Sequence, residues 1–401
     1  MLPPSKAAWS GTRSQVIGRA SGPGGVEVVV DGGVVVVVVP VVLVVGRMVV
    51  VVCSVVVTTG GVGASVIQRI AHATPPMTTS VARAAVTAIA QLQMPYLLFG
   101  EGFFATERTT AASLDSITRK DLAAIHAGPL HPGNLGAAGS GKFDREAMVD
   151  LLNRTIGAIK AGPAARPSPK VPAPGFARTP GLYVIDKDAP QAMLQWAFPG
   201  LRRSDPDWYP AMVMNHVLGG GGFAARLMKK IRSDEGLTYG VRTTLGEGAY
   251  WRGDLTGGLQ TKNTTVAYAL RLALAEMQRL KDEPLSPAEL ASIKDGLVES
   301  FPARWGNRQA IANAFAEEQI TGWPEDWWVD YRERVRAVTA AEVRKMAKKL
   351  LAPEKMIALA VGRASEIEAG DPDHPGALKD AAPLPLSRVP LRDPLTLKPA
   401  P

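Results

Sequence analysis

Two stretches of this chain repeat one plan at a fixed spacing, and that repeat restricts its fold more than any other feature. Placing Thr118 on Thr339, an offset of 339 − 118 = 221 residues, sets Asp121 on Glu342, Leu122 on Val343 and Leu130 on Leu351. The same offset sets Pro132 on Pro353, Leu135 on Met356 and Gly141 on Gly362, with no gap. Each copy reads as a capped helix, a proline turn, an apolar strand and a glycine, the Thr-x-x-Asp/Glu start being an N-terminal capping signal. Two weakly similar halves on one plan are the natural reading. The first half is short. Residues 181–338 stand between the first strand of the second copy and Thr339, but only residues 1–117 precede Thr118. Roughly the first half of those is linker-like or valine.

With 401 residues, the chain is long enough for two domains with cores of their own. Apolar residues make up 46% and charged residues 20%, a globular composition. The net charge of +8 is spread out, with Lys-Lys pairs at 229–230 and 348–349 and no basic run interleaved with aromatics. That predicts a mild bias toward acidic partners and no nucleic-acid interface. The single cysteine, Cys53, excludes an internal disulfide and a cysteine zinc cage within one chain, and leaves the compartment open.

Taken in order, residues 1–25 are rich in Pro, Ser and Gly, and residues 26–58 are nearly all valine. Three readings of the valine run stand side by side. Residues 34–57 are long enough for a membrane span but contain Pro40 and Arg47. Valine suits a buried strand pair, yet neither alternation nor turn chemistry sets a register. A misread frame or mispredicted start would also yield such a homopolymer. The expected layout is therefore a valine-rich 1–61 that is not a folded domain, a partial N-terminal domain over 62–160, a Pro-rich linker over 161–176, a second domain over 177–365, and an extended Pro-rich tail over 366–401. Helices are predicted at 78–98, 145–160, 206–218 and 264–280, and a capping box at Ser286-Pro287-Ala288-Glu289 starts another.

The densest motif is Gly219 to Arg242, GGGGFAARLMKKIRSDEGLTYGVR. Phe223, Leu227 and Ile231 recur every four positions, which predicts one buried helix face. Gly236 ends the helix as a left-handed cap. Arg232 then falls in the last turn and Tyr239 just inside the following strand. The pattern F-x-x-R-L…I-R-x-x-x-G-L-x-Y after a glycine loop resembles the C-terminal domain of the pitrilysin/insulinase metallopeptidases, the inverzincins. Residues 97–144 resemble that family's N-terminal domain. The resemblance implies an α+β fold: a duplicated insulinase-like domain, each copy an antiparallel sheet with helices packed on one face, the first copy incomplete here. It also implies that Arg232 and Tyr239 contact the backbone of a peptide substrate and steady the oxyanion at the scissile carbonyl. A guanidinium and a phenol are both donors suited to that task.

In the family the first copy carries H-x-x-E-H, with a distal Glu as third zinc ligand, and this sequence contains no such motif. Its histidines are 72, 126, 131, 216 and 374, none in ligand spacing with acids. No metal or cofactor site is therefore expected in this chain; zinc belongs to a partner subunit or to an intact full-length form. Three roles follow. The chain is a subunit lending Arg232 and Tyr239 to a zinc-bearing family partner, as heterodimer or homodimer, acting on peptides or unfolded proteins. Alternatively it is a non-catalytic scaffold, or a zinc peptidase whose true N-terminus differs. Periplasmic, membrane-associated and cytoplasmic locations all remain open.

Overall fold

The computed structural model describes residues 27–31, 34–38, 41–45, 48–52, 79–103, 106–127, 137–155, 157–158, 179–248, 252–321, 327–393 and 395–399. The expectations for residues 1–25, the 161–176 linker, Cys53, the His131 turn, Tyr250-Trp251 and Trp323 lie outside these residues. The strands are β1 (Glu27–Asp31), β2 (Val34–Val38), β3 (Val41–Val45), β4 (Met48–Val52), β5 (Gly181–Asp186), β6 (Ala192–Pro199), β7 (Val241–Leu245), β8 (Asp254–Thr261), β9 (Ile357–Gly362) and β10 (Leu386–Arg388). The helices are α1 (Thr79–Phe99), α2 (Ala111–Asp115), α3 (Arg119–Ala127), α4 (Arg145–Thr155), α5 (Trp208–Asn215), α6 (Val266–Asp282), α7 (Pro287–Ser300), α8 (Arg308–Thr321), α9 (Trp327–Ala337), α10 (Ala340–Leu350) and α11 (Ala364–Ala369). Two units divide the chain: residues 1–74 with 119–168, and residues 75–118 with 169–401.

In the first unit, β1 pairs antiparallel with β2 and β3 with β4, Asp31 opposite Val34 and Val45 opposite Met48. Isolated two-stranded hairpins are marginal in water. No helix among the described residues is long and apolar enough to cross a membrane.

Helix α3 and its repeat counterpart α10 differ in burial. Its Leu122 and Ile125 are 59% and 45% exposed, whereas their repeat partners Val343 and Met346 are 0% and 1% exposed. In the second copy α10 packs that face on α5 and α6.

The second unit is built on one sheet with strand order β10-β5-β9-β6-β8-β7. The α+β class is as expected, and two details differ from a wholly antiparallel sheet with helices on one face. First, β10 and β9 both run parallel to β5, while β9–β6, β6–β8 and β8–β7 are antiparallel. Second, both faces of the middle strands are covered. Helices α5, α6 and α10 close one face, with Val213, Met214, Leu270, Met277, Val343 and Leu350 in its core. Helix α1 closes the other. Val86, Ala90, Met94 and Leu97 form its stripe, buried with Ile185, Ala197, Ile357 and Leu359. The sequence places α1 in the first copy, yet it packs on the sheet of the second.

Two-sided burial explains the strand sequences. Leu182–Ile185 and Ile357–Val361 are continuous apolar runs, as strands covered on both faces require. Strand β7 alternates instead, with Val241, Thr243 and Leu245 buried and Arg242 and Thr244 exposed. The tail also departs from expectation. Residues beyond Glu366 do not trail away: Leu378 is buried and β10 adds a strand beside β5. Apolar positions spaced among the prolines let them return to the sheet.

Candidate functional site

The glycine-rich stretch links α5 to the edge strand β7. Helix α5 passes into a wider π-helical turn, His216–Gly220, where the Gly221 N–H donates to the His216 carbonyl at 2.9 Å. A 3-10 turn follows at Gly222–Ala224, and then a second π-helical segment, Met228–Asp234. π-Helical turns are uncommon and concentrate at functional sites. Gly219 lies so near β7 that a β-carbon there would stand 2.7 Å from the Thr243 backbone nitrogen. That close approach, not flexibility, is what requires glycine.

One buried face was expected for Phe223, Leu227 and Ile231. Leu227 and Ile231 are fully buried, but Phe223 is 76% exposed. The reason is local: Ala225 is extended (φ −72°, ψ 144°) and breaks the helical register between Phe223 and Leu227. The displaced Phe223 ring meets Arg232 instead, with the guanidinium carbon 4.9 Å from its centroid.

Gly236 is the expected left-handed cap, at φ 65°. The Gly236 N–H donates to the Arg232 carbonyl at 3.2 Å and the Leu237 N–H to Ile231 at 3.1 Å, closing the helix end. Tyr239 lies two residues before β7 rather than inside it. Thr238 delays the strand: its hydroxyl accepts from the Gly240 N–H at 3.2 Å and donates to the Gly240 carbonyl at 3.0 Å. Tyr239 is 83% exposed, the most exposed large aromatic among the described residues. Arg232 and Tyr239 thus flank one reversal, the first against Phe223 and the second largely exposed.

Contacts invisible in the sequence fix this reversal. Arg226 makes a two-pronged pair with Glu289 of α7, both bonds 2.8 Å. Ser286 caps α7 through the Glu289 N–H at 3.1 Å, but the Glu289 carboxylate is diverted to Arg226, so only half of the expected capping box forms. Glu235 accepts from Lys230 at 2.7 Å and from the Tyr268 hydroxyl at 2.9 Å. Those bonds, Lys230 first, hold the Glu235 carboxyl below the usual range. The Tyr268 ring stacks on His374 at 4.0 Å, and His374 Nδ1 lies 3.1 Å from Asp371. The helix end is therefore tied to the returning tail. The Thr261 hydroxyl completes the set, donating to the Leu237 carbonyl at 2.8 Å.

The described residues do not fit a zinc ion. His216 is half-buried at the π-helical turn, where desolvation lowers its pKa. His374 is engaged with Tyr268 and Asp371, and His126 lies on the exposed α3. No three His, Cys, Asp or Glu side chains among the described residues converge as ligands would.

Comparison with known proteins agrees with this geometry. Residues 116–297 match the family model described as the peptidase M16 inactive domain. The "Non-peptidase homolog YmxG" of Helicobacter pylori is 34% identical over 124 residues, 30% of this chain and 28% of that protein. An uncharacterised zinc protease of Mycobacterium tuberculosis is 25% identical over 138 residues, 34% of this chain and 31% of that protein. The matches thus span 28% to 31% of the length of these relatives. Among solved structures, the peptidase M16 inactive domain from Pseudomonas fluorescens superposes with a TM-score of 0.59 at 22% identity, covering 76% of this chain and 72% of that one. A chain of Complex III2 from Candida albicans gives 0.57 at 17% identity, covering 72% and 71%. In the matched motif, the matched domain and the shared fold, the chain is similar to the pitrilysin/insulinase (peptidase M16) family, inactive and non-peptidase members among them.

Proposed function

We propose that the chain is a zinc-less M16 subunit that binds an extended polypeptide through Arg232 and Tyr239 and presents it to a zinc-bearing family partner. The observation that carries this reading is the exposure of Tyr239 on a braced reversal. A tyrosine at 83% exposure forgoes nearly all the burial that an aromatic ring offers. Meanwhile its surroundings are fixed by the Gly236 cap, the Thr238 turn and the Arg226–Glu289 pair. A rigid support presenting a largely exposed aromatic ring is the arrangement that recognition requires. In this role the phenol donates to a peptide carbonyl oxygen, and Arg232 supplies a permanent cationic fork beside the charge that develops there. Residues 177–365 are the working domain in this reading, and the partner supplies the metal and the base.

A second reading has its own observation. The Arg232–Phe223 stack is a structural clasp in its own right, as a scaffold that kept the fold without catalysis would retain.

Peptide hydrolysis by the purified chain, alone and mixed with a zinc-bearing M16 partner, separates the readings. Activity in the mixture only, reduced about 100-fold or more by Arg232→Ala or Tyr239→Phe, is the expected result. Activity in the mixture that both variants leave intact refutes the assigned roles. No activity in either arm favours the scaffold, and chelator-sensitive activity of the chain alone would point to a zinc peptidase with a different N-terminus.

A further inference from the structure

A small cavity in the second unit lies at the far end of β7 from Tyr239. Arg203, Glu247, Arg304, Trp305, Glu317 and Trp327 line it, and its volume is about 100 Å³. At about 30 Å³ per water it holds roughly three waters, and the ligand pockets that take drug-sized molecules are about 300 Å³ or more. It suits the tip of one side chain.

Its lining sets two guanidiniums, Arg203 and Arg304, against two carboxylates, Glu247 and Glu317, beside two indole rings. Arg203 already shows the pattern: its guanidinium pairs with Glu247 and stands 4.2 Å from the centroid of the Trp327 ring. Trp327 is held in place by its indole N–H, which donates to Glu318 at 2.6 Å. Arg304 leans toward Tyr331, 5.9 Å from that ring. The Glu317 carboxylate and the Trp305 ring, which packs against Phe301, Phe315, Trp327 and Trp328, line the remaining wall. Glu317 has no cation within ion-pair distance among the described residues. Partial desolvation of its carboxylate at the cavity wall and the neighbouring Glu247 charge push its pKa up against the pull of Arg203, and an incoming cation would reverse that rise.

We infer that this cavity is a subsite for one basic side chain, arginine or lysine, of a bound polypeptide. The ligand's cation takes the place beside Trp305 and Glu317 that Arg203 occupies beside Trp327 and Glu247. The inference rests on the peptide-binding reading above. Tyr239 precedes β7 and Glu247 follows it. At about 3.3 Å per residue, the intervening residues span at most about 26 Å, so an extended peptide held at Tyr239 reaches the cavity within about eight residues.

The test uses the purified chain without partner or zinc. Nα-acetyl-arginine methylamide is titrated by tryptophan fluorescence and calorimetry, with the norleucine and glutamate analogues as controls. Saturable binding of the arginine compound, at least about tenfold tighter than of norleucine and weakened at least about tenfold by Glu317→Gln, is expected. Equal binding of norleucine, an unchanged affinity in E317Q, or no binding at all would overturn the inference. Glu317 is exposed on α8, so the variant retains the fold, and an unchanged circular dichroism melt verifies it. Arg232→Ala must leave this affinity intact. The subsite thus stands or falls separately from the roles of Arg232 and Tyr239.

Discussion

Replacing Glu289 by glutamine isolates the pair that anchors the Tyr239-bearing reversal to α7. In the native chain the carboxylate takes two 2.8 Å bonds from Arg226, whose side chain is 11% exposed against 32% for Glu289. The third guanidinium nitrogen of Arg226 is buried without a partner among the described residues, so Glu289 supplies the neutralisation. A hydrogen bond to a charged group contributes about 1.5–3 kcal/mol. Glutamine retains one acceptor oxygen, and the partial exposure of Glu289 screens the loss, which leaves a cost of about 1–2 kcal/mol. Arg226 holds the Glu289 carboxyl below the usual range, chiefly through its hydrogen bond. A depressed carboxyl contributes stability that is present above its unfolded pKa and lost as pH falls through the folded value. Urea denaturation of both proteins should therefore show a constant gap from about pH 7 down to about pH 4.3, closing only below it. A gap that is absent at neutral pH, or that closes well above the reference value, would refute the anchoring argument.

Gly219→Ala forces a β-carbon to within 2.7 Å of the Thr243 nitrogen, so the thermal midpoint should fall by the equivalent of about 1–3 kcal/mol. Leu97→Ala empties a fully buried site between α1 and the sheet; chemical denaturation should report a loss of about 2–5 kcal/mol, and a surface-like effect would mean α1 does not pack there. Glu317→Gln should stabilise the chain slightly near pH 7, by a few tenths of a kcal/mol because the residue is exposed. Its raised carboxyl costs stability as pH climbs through the folded pKa, so this gain should disappear below about pH 4.3 in a pH series of melts.

Local chemistry was legible where a residue's own neighbours decide its conformation. Thr339 and Glu342 form the full reciprocal capping box that their spacing announces. Gly236 adopts the left-handed cap. Partners distant in sequence were not legible. Glu289 carries the same capping signature as Glu342, and only the fold reveals that Arg226 claims it. Phe223 obeys the helical spacing, but one extended residue at Ala225 cancels it. Arg232 and Tyr239 were found through the motif, and the aromatic contact of Arg232 was not. The cavity residues Arg203, Glu247 and Glu317 come from three separate segments and carry no common pattern along the chain.

The strand order has a consequence for synthesis. Strand β5 is the first of its sheet to leave the ribosome, yet both its neighbours, β9 and β10, come near the end of the chain. At about 5–20 residues per second, Leu182–Ile185 waits on the order of ten seconds or more before either edge is paired. During that interval an entirely apolar strand has no sheet to join, and loop closure across the whole second unit must come before pairing. Strands β6, β8 and β7 can pair with one another early, but β5 joins the sheet only once β9 has been made, and a nascent chain stalled before β9 should be held by a chaperone or lost to aggregation.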